Sequence, residues 1–144
     1  EVREVVVDLE QAQVLGCPGG SRRLCISSLR MDGGKKSRPI GWTDVYIDPA
    51  YADIGPMVRQ APQTLISELI ESRYGRRIAR IRQDLRAVMV PLHLAQELRV
   101  DAGSPALMIV RRYFDAADEV FEVTVTLHPA ERFTFSMELH RKRE

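Results

Sequence analysis

The stretch Gly103–Asp115, GSPALMIVRRYFD, decides the fold, because the chain carries a second version of it at Gly20–Asp32, GSRRLCISSLRMD. Each copy opens on Gly-Ser, runs through apolar residues at strand spacing, passes an arginine and closes on aspartate before a polar turn. Beyond the first copy the loop GGKKSRP leads into a second strand from Ile40 to Asp48; beyond the second, the turn DAADE leads into Val120–Leu127. Apolar residues at a period near two, interrupted by Gly, Asp and Lys, mark two β-hairpins, each leading to a proline, Pro49 and Pro129.

Working outward, Val2, Val5, Val6, Val7 and Leu9 read as an opening strand before the turn Gly16–Gly20, GCPGG. Between the hairpins, Pro49, Pro56 and Pro62 punctuate a loop with room for one short helical turn. Thr64 is placed as the N-cap or a first-turn residue of a helix with Leu65, Leu69 and Ile70 on one face and Gly75 as its stop. RRIARIRQDLRAVMV alternates, with Ile81, Gln83, Leu85 and Ala87 on one side and Arg80, Arg82, Asp84 and Arg86 on the other, which predicts a half-buried strand. Pro91 starts a helix that faces inward through Leu94, Ala95 and Leu98 and ends at Asp101–Gly103. PAERFTFSMEL is expected to add a last short strand before the charged tail HRKRE. The order predicts a single α+β domain over residues 1–144, with a largely antiparallel sheet and helices on one face. Two hairpins flanking a helical middle are expected to wall a shared cleft, Arg30 giving charge from one wall and Glu122 a counter-polarity from the other.

Composition narrows the function. A length of 144 residues supports one core, and 44% hydrophobic with 28% charged residues is ordinary for a soluble protein. No apolar run is long enough to span a bilayer. Lacking a signal peptide, the chain is expected to be cytoplasmic, and its start at Glu1 suggests a fragment of a longer protein. A net charge of +1 gives no general attraction to polyanions. Cys17 and Cys25 form neither a disulfide framework nor a metal motif, and His93, His128 and His140 lack ligand spacing, so no metal or cofactor is expected. There is no Ser/His/Asp constellation and no phosphate loop. The arginines from Arg73 to Arg86 are interleaved with one aromatic, Tyr74, which disfavours direct nucleic-acid binding.

Four segments together carry a resemblance: the Arg-bearing hairpin SSLRMDGGKKSRPIGWTDVYID, the helix TLISELIESRYGRRI, the Ala95–Asp115 block with its GSPAL and RRYFD, and FEVTVTLHPAERFTF. They resemble the UTRA domain, the effector-binding domain of HutC-subfamily GntR transcription regulators, over about Leu24–Leu139. The resemblance implies a chorismate-lyase-like fold, a small-molecule metabolite as partner, a homodimer, and DNA contacted only through a winged helix-turn-helix domain that this chain does not contain. It also implies that the chain is not an enzyme. The alternatives are a chorismate-lyase-like enzyme and a dimerisation module without ligand.

The resemblance also proposes ligand-binding residues. Family members often end the first strand with Arg-x-Arg, which grips an anionic group; here the positions read Ser28-Leu29-Arg30. A bidentate guanidinium is thus replaced by one neutral hydroxyl at Ser28, which lowers the expectation of a doubly charged phosphosugar. Thr43 stands where the family often has Glu, Thr64 where it often has Ser, and Arg77 near a position that can carry a ligand-binding base. Glu122 matches the Glu of a Pro-Val-Glu-Tyr element, and His128 a ligand-contacting Tyr; six residues apart, both face one side of a continuous strand. Each has a plainer role too: Arg30 and Arg77 as solvated arginines, Thr64 as a cap, Glu122 on a wet sheet face, His128 as a strand-end residue. Arg111 is taken as structural, paired with an acidic neighbour. The departures at Ser28, Thr43 and His128 leave the effector's identity open.

Overall fold

The computed structural model of the chain describes residues 1–33, 37–61 and 64–142. Pro62, the tip of the first hairpin loop at 34–36 and the last two residues of the charged tail lie outside them. Strand β1 (Val2–Val6) stops where Asp8 accepts a hydrogen bond from the Gln11 amide at 2.7 Å while the Gln11 side chain accepts one from the Asp8 amide. This reciprocal cap starts helix α1 (Leu9–Leu15), so Leu9 begins a helix and is not the end of a strand. Gly16, in the left-handed region at φ 71, stops it.

The two expected hairpins follow as β2 (Arg22–Met31) with β3 (Pro39–Ile47), and β5 (Pro105–Phe114) with β6 (Val120–Pro129). Between them run a 3₁₀ turn at Pro49–Tyr51, helix α2 (Ile54–Gln60), helix α3 (Ile66–Tyr74), strand β4 (Arg80–Met89) and helix α4 (Leu92–Leu98). The proline-punctuated region is therefore more helical than one turn. All strand pairs are antiparallel, and the sheet order is β1-β2-β3-β6-β5-β4.

That order has a two-fold character. Each half is strand, helix, hairpin (β1-α1-β2-β3 and β4-α4-β5-β6), and the halves meet at the central β3·β6 seam. The registers correspond: Ser28 opposite Thr43 matches Arg111 opposite Thr124, and Arg30 opposite Gly41 matches Tyr113 opposite Glu122. The two hairpins consequently do not face each other as walls. They lie edge to edge as one floor, because β3 and β6 satisfy each other's backbone groups.

The helices occupy both faces, not one. On one side α1 packs Leu15 against Val110 and Val123, and α4 packs Leu94, Ala95 and Leu98 against Ala106 and Leu127. On the other side α2 and α3 bring Ile54, Leu69 and Ile70 onto Ile26, Val45 and Ile47. This second layer leaves β4 uncovered: Ile81 and Leu85 are 48% and 39% exposed, so the strand is an edge more solvated than half-buried. After β6 a 3₁₀ turn at Ala130–Arg132 carries the chain off the sheet. The expected strand over PAERFTFSMEL does not form; residues 133–142 have no regular structure. Arg132 holds this departure in place, donating to the carbonyls of Pro39 (3.0 Å), Leu98 (2.6 Å) and Arg99 (2.8 Å). It thereby caps the C-terminus of α4 from another element.

Candidate effector cleft

The face under α2 and α3 holds a cleft of about 560 Å³. Its floor is built by strand alternation. Ser28 and Arg30 from β2, Thr43 from β3, Ile109 and Arg111 from β5, and Glu122, Thr124, Thr126 and His128 from β6 all share it. The cross-strand registers order these residues into rows. Ser28, Thr43, Thr126 and Ile109 form one row, with the Thr43 and Thr126 hydroxyls 3.1 Å apart. Ile26, Val45, Thr124 and Arg111 form the next. Beyond them Glu122 lies opposite Tyr113. At the other end Arg30 lies opposite Gly41, beside His128. The rim comes from Val58 and Arg59 of α2, Thr64 and the start of α3, and Phe133 and Phe135 of the C-terminal segment.

Six of the seven residues proposed from sequence, Ser28, Arg30, Thr43, Thr64, Glu122 and His128, line this one cleft. Arg77 is exposed outside the lining, because Gly75 ends α3 and the chain then runs out toward the β4 edge. Thr64 is not the helix cap: Leu65 holds that position, with extended backbone, and no side chain among the described residues caps the helix. Arg111 differs from expectation as well. Its Nε donates to the Gln83 amide oxygen at 2.5 Å, and it lines the cleft; the acid-paired arginine is its neighbour Arg112, 3.0 Å from Asp84. Thr124 and Thr126 were readable from their shared parity with Glu122 and His128. Phe133 and Phe135 were not, since they reach the cleft only because the chain leaves the sheet.

Two buried groups give the cleft its chemistry. Glu122 is 2% exposed and its Oε1 has no hydrogen-bond partner among the described residues. Desolvation pushes its carboxyl up to about 7. His128 is 4% exposed, and burial, with Arg30 nearby, pushes its imidazole below the usual range despite the opposing bond to the Ile40 carbonyl. Its Nδ1 lies 2.6 Å from that carbonyl oxygen, which fixes Nδ1–H as the donor and leaves Nε2 as an acceptor. The ring stacks on Phe133, centroids 3.7 Å apart at 4°. Arg30 and Arg59 form no ion pair among the described residues. Among those residues there is also no cluster of His, Cys, Asp and Glu suited to a metal ion, and no helix is long and apolar enough to cross a membrane.

Gly41 makes room for this arrangement. A Cβ there would sit 2.7 Å from His128 Nδ1 and 2.8 Å from its Cε1. Gly41→Ala is expected to push the imidazole off Phe133 and out of its bond to Ile40, destabilising the domain by about 1–3 kcal/mol. Urea unfolding checks this; an unchanged midpoint would mean that the ring is not held as described.

Comparison with known families decides the identity: residues 1–134 match the model of the UTRA domain. The chain is a UTRA domain. It is thus the effector-binding domain of a GntR-family transcription regulator and a regulatory module, not an enzyme. Among solved structures, the UTRA domain is similar to a GntR-family transcriptional regulator from Bacillus cereus at 16% identity and a TM-score of 0.80, covering 97% of this chain and 94% of that one. The effector domain of PhnF from Mycobacterium smegmatis matches at 22% identity and a TM-score of 0.72, covering 98% and 84%. For the longer PhnF chain the identity is 23% and the TM-score 0.70, covering 99% of this chain and 61% of that one. A comparison with curated proteins gives no match.

Proposed function

We propose that the cleft on the α2–α3 face is the effector site, and that its residues Ser28, Arg30, Thr43, Thr64, Glu122 and His128 touch the ligand. The observation that carries this reading is the Glu122 carboxyl, whose buried Oε1 has no hydrogen-bond partner among the described residues, in the lining of an open cleft shared with Arg30 and Arg59, which form no ion pair among those residues. A buried polar group without a partner costs about 1–3 kcal/mol, and a ligand that pairs with it removes that cost. Arg77, outside the lining, has no place in the site.

The domain acts as half of a homodimer in a cytoplasmic regulator of the HutC type. Ligand binding selects between two dimer arrangements and so sets the geometry of winged helix-turn-helix domains that contact the operator. The test is a metabolite screen by thermal shift, followed by calorimetry and sedimentation. A ligand at 100 times its dissociation constant should stabilise the domain by about 2.7 kcal/mol. Thr43→Arg, which fills the middle of the floor, should abolish that binding. A ligand that binds the blocked variant as tightly as the wild type would overturn the cleft assignment. A domain that stays monomeric at all concentrations, with and without ligand, would overturn the dimer mechanism.

A further inference from the structure

The two ends of the cleft are equivalent positions of a duplicated frame, yet they carry opposite chemistry. The register that places Arg30 opposite Gly41 in the first hairpin places Tyr113 opposite Glu122 in the second. Gly41 and Glu122 are therefore twins, one without a side chain and the other with a buried carboxyl. The first end presents Arg30 and the Nε2 acceptor of His128. The second holds Glu122 in its lining, with a buried Oε1 that has no hydrogen-bond partner among the described residues. Hydroxyls of Ser28, Thr43, Thr126 and Thr124 lie between, with Arg111 one row from Glu122. A row spans two residues, roughly 7 Å, along the strands. Arg111 donates through Nε to neutral Gln83 and makes no ion pair among the described residues.

From this polarity we infer that the effector is a two-ended molecule, with an anionic group held by Arg30 or Arg111 and a nitrogen donor, an ammonium or similar cation, held by Glu122. The inference rests on the cleft being the effector site. A ligand with anionic groups alone would satisfy the arginines and leave Glu122 unpaired, or place like charges together. A ligand with only a cation would answer Glu122 and leave the arginines facing water. A two-ended ligand answers both, and the unlike ends fix a single orientation on a frame that is otherwise nearly symmetric. The hydroxyl rows between suit a linker bearing hydrogen-bonding groups. Because a buried carboxylate rejects an analogue that lacks its donor, discrimination should be strong.

The test uses the whole domain and two matched probe series: ω-amino carboxylates and aminoalkyl phosphates of two to eight carbons, and the same molecules without the amino group. Calorimetry is expected to give at least tenfold tighter binding for some amine-bearing member than for its des-amino partner. That preference should fall to under threefold in Glu122→Gln, while Arg30→Ala or Arg111→Ala weakens the amine-bearing ligand about tenfold or more. Melting curves of each variant verify folding, and Arg30 and Arg111 are exposed enough for their replacement to spare the core. Des-amino anions binding as tightly as their amino counterparts would overturn the inference while leaving the cleft assignment standing. The inference also falls, with the cleft intact, if neither series binds and a broader screen yields a ligand that Thr43→Arg abolishes. A ligand that survives Thr43→Arg would overturn both.

Discussion

Arg132→Ala is expected to lower the stability of the domain by about 3 kcal/mol and its melting temperature by roughly 10 °C. The side chain is 9% exposed and spends its guanidinium on three backbone carbonyls, those of Pro39, Leu98 and Arg99. Two of these belong to the end of α4, whose last carbonyls have no partner along the helix. The third lies at the start of β3. Truncation leaves all three without the cation and opens a void where the chain leaves the sheet. Lysine keeps the charge but lacks the planar fork, so Arg132→Lys should recover less than half of the loss. Differential scanning calorimetry of the three proteins checks this. A drop of under 2 °C for alanine would mean that water replaces the guanidinium and that the bonds are not structural.

Glu122→Gln is expected to stabilise the ligand-free domain at pH 8 by about 3 kcal/mol and to leave it nearly unchanged at pH 4. Burial raises the folded-state carboxyl from 4.5 to about 7. Below pH 4.5 the group is protonated in both states and contributes nothing to the difference. As pH rises from 4.5 to 7 the unfolded chain ionises first, so the wild type loses stability; above 7 the deficit is constant. Glutamine, neutral throughout, escapes the loss. The charged groups that share the cleft with Glu122 are Glu1 with its terminal ammonium, Arg30 on β2, Arg59 on α2 and Arg111 on β5, with Tyr113 opposite on β5 and His128 further along β6. Unfolding curves for both proteins from pH 4 to 8 provide the measurement. A gap between them that does not change with pH would show that Glu122 ionises as an ordinary surface carboxylate.

The legible parts of this fold are those written in a single strand period. The hairpins β2–β3 and β5–β6 follow from alternation and from the repeated Gly-Ser to Asp pattern, and they carry most of the cleft floor. Glu122 and His128 share a face because six is even, a statement that needs no tertiary information. Helix α1 was hidden because seven residues hold too few turns to outweigh the valine run before it, although Asp8 and Gln11 spell its capping box. The tail from Phe133 reads as a strand by its alternation of Phe, Phe, Met and Leu, but no sheet edge is offered to it, since Arg132 turns the chain away. Thr64 shows the limit of placing a cap from local sequence, and Arg77 that of position by resemblance. One residue of shift put Leu65 at the cap and turned Thr64 to the cleft, and the exit of the chain past Gly75 carried Arg77 out of it. The placement of α2 and α3 over one face, which makes a cleft out of a flat sheet, depends on contacts distant in sequence and has no local signature.

The two faces of the sheet divide their labour in a way that bears on how such a domain changes over generations. On one face α1 and α4 bury Val110, Val123, Ala106 and Leu127, so drift there is punished as lost stability. On the other, the central rows offer Ser28, Thr43, Thr124 and Thr126 to an open cleft, with no helix packed tightly on them. Every second residue of these strands can therefore be exchanged while its neighbours hold the frame. A strand, helix and hairpin unit repeated in one sheet thus leaves a single face free to vary its chemistry while the opposite face keeps the architecture.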